Sequence, residues 1–180
     1  MEPYIATAIQ WLYDTIRVQL RAKAATPPPP ESEWVTLCWE VGHSLSMMQA
    51  HGIPAQPVIE AVSEKLVAEF GSDGDLTPYG IRTMRQFYLD YFERSHLQPL
   101  IRSVGWDQHK IILSLCRDPA QQEYYLALAK DQALSAEALA AAIKERRYEM
   151  SAGLRPPAKV AVKAPGKRPG KSSTRVSGRA

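Results

Sequence analysis

Two consecutive helical patterns in residues 57–92 constrain the fold of this chain most strongly. Pro57 stands in the first turn of a pattern that Gly71 ends, as expected because proline is favoured at helix starts and glycine just after helix ends. Thr77 then provides an N-cap and Pro78 a first helical residue for a second pattern. The segment therefore predicts a helix–turn–helix-like pair. Its second helix is expected to bury Ile81, Met84, Phe87, Tyr88, Tyr91 and Phe92.

Helical periodicity also dominates the rest of the sequence. Apolar residues recur at spacings of three or four in residues 3–25 and 31–50, and Asp118 and Ser135 are typical N-caps for later helices. The last of these is predicted to run from Ala136 to about Met150. No segment alternates in the manner of a half-buried strand. The fold class predicted is all-α, with a single multi-helix domain.

Composition divides the chain into four segments. Residues 1–25 are predicted to form an N-terminal helix, and the prolines of residues 26–30 to form a stiff polyproline linker. We favour a linker over the alternative, a ligand for an aromatic groove. Residues 31–152 are predicted to form the helical domain. Residues 153–180 lack the large apolar side chains that a core needs, which predicts a disordered basic tail.

Charge is distributed unevenly between the helical part and the tail. The tail holds eight of the 22 Lys and Arg residues and none of the 19 Asp and Glu residues, so the remainder has 14 basic against 19 acidic side chains. Such asymmetry indicates a polyanionic partner such as DNA, although a purely solubilising tail is the alternative. The candidate DNA-binding residues of the tail are Arg155, Lys159, Lys163, Lys167, Arg168, Lys171, Arg175 and Arg179.

Arg82 and Arg85 are two further candidates for contact with nucleic acid. They are three residues apart on the second helix of the pair, so both are expected near its exposed side. Arginines on such a helix meet phosphates or guanine edges in helix–turn–helix proteins. The alternative is that they form salt bridges with Asp90, Glu93 or Glu69 on a solvated surface.

Other classes of function receive no support from the sequence. Cys38 and Cys116 fit no metal or redox spacing and are expected to be reduced, half-buried thiols. The four histidines are scattered, and no catalytic triad, phosphate loop or carboxylate pair is present. We therefore expect no enzyme activity, metal or cofactor. With neither a long apolar run nor a secretory signal, the protein is predicted to be cytoplasmic or nucleoid-associated, without membrane contact.

Several short motifs follow one another in a recognisable order. The most distinctive is the run Met84-Arg85-Gln86-Phe87-Tyr88; the others are Trp39-Glu40-Val41-Gly42, residues 66–71, Gly105-Trp106-Asp107-Gln108-His109, Tyr124-Tyr125-Leu126 and residues 135–143. Together, residues 34–143 resemble the helical N-terminal domain of YhcG-like bacterial proteins. In those proteins this domain, of unassigned function, precedes a PD-(D/E)XK nuclease domain.

The sequence departs from this family in three positions and in one segment. Gln122 stands where the family tends to carry an arginine, and Leu134 and Glu137 stand where it carries Trp and Arg. If those arginines contact a partner, the contact is altered in this chain. After Met150 no strand-rich segment bears an Asp and a Glu-x-Lys motif. The resemblance therefore implies the accessory domain without the nuclease domain.

Two functional hypotheses follow. The first is a non-enzymatic, DNA-associated accessory protein of a mobile element or DNA-processing system. The second is a protein–protein adaptor or regulator that dimerises, or binds a separate nuclease or toxin, through its N-terminal helix. A cryptic nuclease is a third option, for which no metal ligands are visible.

Overall fold

A computed structural model describes residues 3–24, 30–151 and 153 of the chain. Within these residues the secondary structure consists of α-helices and 3-10 helices without a strand, so the all-α prediction is confirmed. The predicted linker and tail, apart from Pro30 and Gly153, lie outside the described residues. The helices are α1 (Pro3–Lys23), α2 (Glu31–Ala50), α3 (Ala55–Phe70), α4 (Pro78–Tyr91), α5 (Gln98–Ile101), α6 (Trp106–Leu115), α7 (Pro119–Asp131), α8 (Ala136–Lys144) and α9 (Arg147–Ser151), with 3-10 helices at Gly74–Leu76 and Ser95–Leu97.

The predicted helix starts are confirmed by their caps. The Thr77 hydroxyl accepts a hydrogen bond from the Gly80 amide at 3.2 Å, and the Ser135 hydroxyl accepts one from the Ala138 amide at 3.2 Å. The carboxylate of Asp118 does the same for Gln121 at 3.3 Å. Each cap satisfies one of the amides that the first turn of a helix leaves unpaired.

α4 is the central helix of the core, and it packs most extensively against α2. Ile81, Met84, Phe87 and Tyr91 are completely buried along one side of α4. Tyr88, predicted to be buried, is only half-buried. The predicted burial of Phe92 is wrong, because α4 ends at Tyr91 and the Phe92 side chain remains 45 % exposed. The connector from α3 to α4 contains the first 3-10 helix, whose Leu76 is buried in the same core.

The final helix is also shorter than predicted. Residues 136–150 do not form one helix, because Arg146 adopts a backbone φ of 58° and separates α8 from α9. The turn lets Tyr148 pack against Tyr124, with ring centroids 5.6 Å apart, and lets its amide donate to the Tyr125 hydroxyl at 3.2 Å. These tertiary contacts prevail over the local helical tendency of the segment.

The N-terminal helix α1 packs against α2 and α3. Its apolar stripe, with Ile9, Leu12 and Ile16 buried, belongs to the same core as the other helices. This stripe is therefore unavailable for the docking role that the adaptor hypothesis gave it. The opposite side of α1 exposes Tyr4, Trp11 and Val18, each at least half accessible to solvent.

Candidate nucleic-acid interface

The run from Met84 to Tyr88 contributes mainly to packing. Met84 and Phe87 are completely buried. The Phe87 ring lies edge-to-face against Trp39, Trp106 and His109, with centroids 5.7, 5.3 and 4.7 Å away. Such aromatic pairs stabilise a core beyond their buried area. Motifs that are far apart in the sequence therefore meet in one aromatic cluster. Their occurrence in this order along the chain is a requirement of the fold.

His109 in this cluster is a structural residue. It is completely buried, and its Nε2 atom lies 2.9 Å from the carbonyl oxygen of Ile101. Burial lowers the pKa of His109 to about 4, although the hydrogen bond to Ile101 favours the protonated ring. A neutral, enclosed imidazole of this kind suits neither acid–base catalysis nor metal binding.

Gly42 sets the distance between α2 and α4. A Cβ atom at this position would lie 2.3 Å from the carbonyl oxygen of Met84 and 2.7 Å from the Cβ atom of Tyr88. Any side chain at residue 42 would therefore force the two helices apart. Glycine here permits the close approach that brings Trp39 onto Phe87 and Tyr88.

The two arginines predicted on α4 have different surroundings. Arg82 is exposed, and its Nη1 atom donates to the Gln56 side chain at 3.4 Å. Arg85 is half-buried, and its Nε atom is enclosed without a hydrogen-bond partner. In the described part of the chain neither arginine forms an ion pair.

The salt bridges considered as an alternative for these arginines are therefore not present. Glu69 instead accepts hydrogen bonds from Arg17 at 3.1 Å, from Arg21 at 2.7 Å and from the Tyr13 hydroxyl. Asp90 accepts from the Gln122 amide at 3.3 Å. Glu69 and Asp90 are thus engaged with other side chains.

Arg82 lines a groove between α4 and α6 together with Lys110 and Arg117. The groove has a volume of about 380 Å³ and contains no acidic side chain among its lining residues. Hydroxyl and amide groups complete its polar wall, and the remaining lining residues are Tyr79, Thr83, Gln86, Leu113 and Ser114. We call this the basic groove. Hydrogen-bond donors around such a surface suit the oxygens of a phosphate group.

Lys110 is held at the edge of the basic groove by two carboxylates. Its Nζ atom lies 2.9 Å from the Oδ1 atom of Asp75 and 2.8 Å from that of Asp107. Burial disfavours the charged ammonium, but the bonds to Asp107 and Asp75 outweigh it and raise the pKa of Lys110. Lys110 is therefore cationic, with much of its charge already balanced. Arg82 and Arg117 are the groove's more available cations.

Sequence reasoning missed Lys110 and Arg117. Lys110 lies on α6 and Arg117 lies two residues beyond the end of that helix, and nothing in the sequence indicated that this part of the chain faces Arg82. The eight candidate residues of the tail, Arg155, Lys159, Lys163, Lys167, Arg168, Lys171, Arg175 and Arg179, lie outside the described residues.

A second exposed surface crosses α1, α2 and α4, and we call it the aromatic patch. It comprises Trp11, Trp39, His43, Tyr88 and Phe92. Trp11 and His43 line one cleft of about 220 Å³, and the His43 and Tyr88 rings are 5.1 Å apart. Tyr88 also stacks on Phe92 at 5.4 Å and meets the edge of Trp39 at 5.0 Å.

Gln122, at a position where the sequence departs from the family pattern, is buried and fully engaged. It accepts a hydrogen bond from Arg94 at 2.8 Å and donates to Asp90 and to the Cys116 carbonyl, both at 3.3 Å. A residue in this position contacts the interior of the domain. The change at residue 122 therefore does not alter an exposed binding surface.

The two cysteines lie in the interior of the domain. Cys38 and Cys116 are completely buried, more than the half-buried state predicted, and burial raises the pKa of Cys116 to about 11. The described residues contain no group of three metal-ligating side chains in a suitable arrangement. Nor does any described helix have the length and apolar character needed to cross a membrane.

Comparison with known proteins gives one match. The sequence profile of the DUF1016 N-terminal domain matches residues 16–150, which extend from the second half of α1 into α9. No curated protein and no solved structure matches the chain. The match includes the aromatic cluster and every residue of the basic groove.

Proposed function

Because the chain belongs to the DUF1016 N-terminal domain family, the N-terminal domain family of YhcG-like nucleases, we propose that it is a DNA-associated protein without catalytic activity. The basic groove would contact the phosphate backbone and the basic tail would add affinity independent of sequence. A relation to nucleases favours a role in DNA processing or on a mobile element. Binding of this kind would place the protein at the bacterial nucleoid.

One observation supports this proposal most directly. Arg82 on α4 and the two later residues Lys110 and Arg117 line one groove that has no acidic side chain among its lining residues. The helical part has an excess of acidic over basic residues, so a groove of this composition is not expected from average charge. Phosphate contacts by arginine and lysine provide affinity for duplex DNA without reading its sequence.

The binding of a fluorescent duplex of mixed sequence tests the proposal. Affinity should fall steeply between about 50 and 200 mM salt, with a slope that reports the number of phosphates contacted. The double variant Arg82→Gln/Arg117→Gln should lower that slope by about 2, since each arginine accounts for about one phosphate. Fluorescence anisotropy of the full chain measures both quantities.

A matched control separates the groove from net charge. Arg102 and Lys130 are exposed, lie outside the basic groove and have no ion pair in the described part of the chain. The variant Arg102→Gln/Lys130→Gln removes the same charge and should leave the slope nearly unchanged. An equal loss in both variants would contradict a role for the groove, and no binding at low salt would contradict DNA association itself.

The aromatic patch favours a second candidate function, docking of another protein. Trp11 is 51 % exposed and lines one cleft with His43, and Phe92 is 45 % exposed and stacks on Tyr88. Exposed aromatic residues that lie side by side are typical of protein interfaces. If the occupant is a second copy, the mass in solution should rise with concentration for the native chain and stay monomeric for Trp11→Gln/Phe92→Gln. A native chain that stays monomeric would exclude self-association.

A further inference from the structure

A second pocket lies close to the basic groove and has the opposite character. It has a volume of about 280 Å³ and lies where the end of α1 meets the starts of α2 and α6. Two tryptophans, Trp34 and Trp106, form its apolar wall, and both are more than nine-tenths buried. The rest of the lining consists of Gln19, Lys23, Pro30 and four carboxylates, and we call it the acidic pocket after the carboxylates Glu31, Glu33, Asp75 and Asp107.

Negative charge in the acidic pocket is only half balanced. Lys110 bonds both Asp75 and Asp107, and the Nζ atom of Lys23 lies 4.3 Å from the centre of the Trp34 ring. Two ammonium groups therefore face four carboxylates. The position of Lys23 also demonstrates that a cation fits against the aromatic wall, where the ring quadrupole attracts it. Further cationic groups would be attracted to the remaining charge.

The two tryptophans indicate a second requirement for the ligand. The indole Nε1 atoms of Trp34 and Trp106 are buried and have no hydrogen-bond partner among the described residues. A buried N–H group without a partner is unfavourable and is satisfied by a carbonyl or carboxylate oxygen. A metal ion or a polyamine would balance the carboxylates but offers no such acceptor. A peptide rich in lysine and arginine provides both kinds of group.

The chain contains one segment with this chemistry. Residues 155–179 carry eight Lys and Arg residues and no acidic residue. Residues 25–29, which stand between α1 and α2 in the sequence, are Ala-Thr-Pro-Pro-Pro and hold no charge. They therefore cannot balance the carboxylates.

The end of the domain lies within reach of the acidic pocket. Gln108, next to Asp107, donates to the carbonyl of Leu134 at 3.1 Å, so the start of α8 adjoins the α6 wall of the pocket. α8 has 9 residues and spans about 14 Å. The sequence continues for 27 residues after Gly153, and a chain of that number of residues reaches at most about 90 Å. This length is sufficient for the tail to return to the pocket.

We propose that the acidic pocket binds this chain's own basic segment, residues 155–179, through its lysine and arginine side chains and its backbone carbonyls. This inference goes beyond the proposed function and does not depend on it. In the bound state the tail would be withheld from other polyanions, and in the free state it would be available to them.

The indole N–H signals of the full chain test this proposal by NMR without DNA. The four tryptophans, Trp11, Trp34, Trp39 and Trp106, give four signals, which single Trp→Phe variants at the exposed residue 11 and at residue 39 help to assign. Replacing all eight basic residues of the tail by glutamine should shift the signals of Trp34 and Trp106 and leave the other two in place. If none of the four signals moves, the proposal is wrong.

Two further measurements identify the site and the source of the segment. In Glu33→Gln the equilibrium between the tail-bound and the tail-free pocket should shift roughly fivefold towards the free form at a given salt concentration. Glu64→Gln, which replaces an exposed carboxylate on α3, should behave as the native chain. Equal effects of both variants would mean general attraction to an acidic surface and would contradict the pocket. Signals that depend on protein concentration would mean that a second copy supplies the tail, which would overturn the proposal as stated.

Discussion

The two sides of α4 differ in how much of them other helices cover. One side carries Met84 and Phe87, which are completely buried against α2 and α6. The other side carries Arg82 and Gln86 and faces the open basic groove. Two residues of the family motif on α4, Met84 and Phe87, lie on the covered side, whereas the proposed contact of Arg82 with DNA uses the open side. A family motif can thus identify a domain through its packing while the functional groups lie on the reverse of the same helix.

The largest expected effect concerns the covered side. Phe87→Ala removes a completely buried ring that touches three other aromatic rings, and it should lower the free energy of unfolding by about 4 kcal/mol. Leu89→Ala, on the same helix but 37 % exposed, should cost less than about 1 kcal/mol. Urea denaturation measures both values. Similar losses for the two variants would mean that the two sides of α4 do not differ in packing.

The second-largest expected effect is a dependence of stability on pH, caused by His109 of the same aromatic cluster. The folded state holds His109 neutral, with a pKa of about 4, whereas its ordinary value of 6.5 applies in the unfolded chain. The unfolded chain therefore binds the proton first, and stability should be lost as pH falls from 6.5 to 4. The total loss in the free energy of unfolding is roughly 3 kcal/mol, and above pH 6.5 the titration of His109 does not change stability.

Denaturation of native chain and His109→Gln across this pH range isolates the contribution of the histidine. The variant should be less sensitive to pH between 6.5 and 4, whatever its absolute stability. Identical pH dependence of the two proteins would show that His109 is not buried in its neutral form.

Gly42→Ala should have a smaller but clear effect. The added methyl group meets the backbone of Met84, so α2 and α4 must separate, at an expected cost of about 2 kcal/mol. Gly74→Ala is the matched control, because nothing lies within 4 Å of the new Cβ atom and the backbone φ is not positive. Thermal unfolding should distinguish them, with the control within about 0.5 kcal/mol of the native chain.

The smallest effects on stability should come from the open side of α4. Arg82→Gln should change the free energy of unfolding by less than about 0.5 kcal/mol while it weakens DNA binding severalfold. Arg85→Gln is the sharper comparison, since Arg85 is on the same helix but does not line the basic groove. It should weaken binding less. An equal loss of affinity in both variants would assign the effect to the charge of α4 as a whole.

The sequence was sufficient to predict the helices but not their arrangement. Helix starts could be predicted at Thr77, Asp118 and Ser135, because capping depends on residues only three apart in the sequence. The break at Arg146 was missed because contacts of Tyr148 with Tyr124 and Tyr125, distant in sequence, decide it.

The candidate sites show the same division. Arg82 was predicted from its position on α4, since its exposure follows from the apolar stripe on the other side. The place of Lys110 and Arg117 beside Arg82 could not be predicted, because it results from the packing of α6 against α4. The acidic pocket likewise combines side chains from three helices and one connector.

Lys110 has a thermodynamic consequence for the two proposed binding surfaces. Its single ammonium group lines the basic groove and also balances Asp75 and Asp107 of the acidic pocket. A phosphate that draws this group towards the groove leaves those carboxylates less neutralised, and the pocket then attracts a cation more strongly. The coupling is reciprocal, because the free energy by which one ligand favours the other must be equal in both directions. Under the two proposals, Lys110 would therefore make the affinity of each surface for its ligand depend on whether the other surface is occupied.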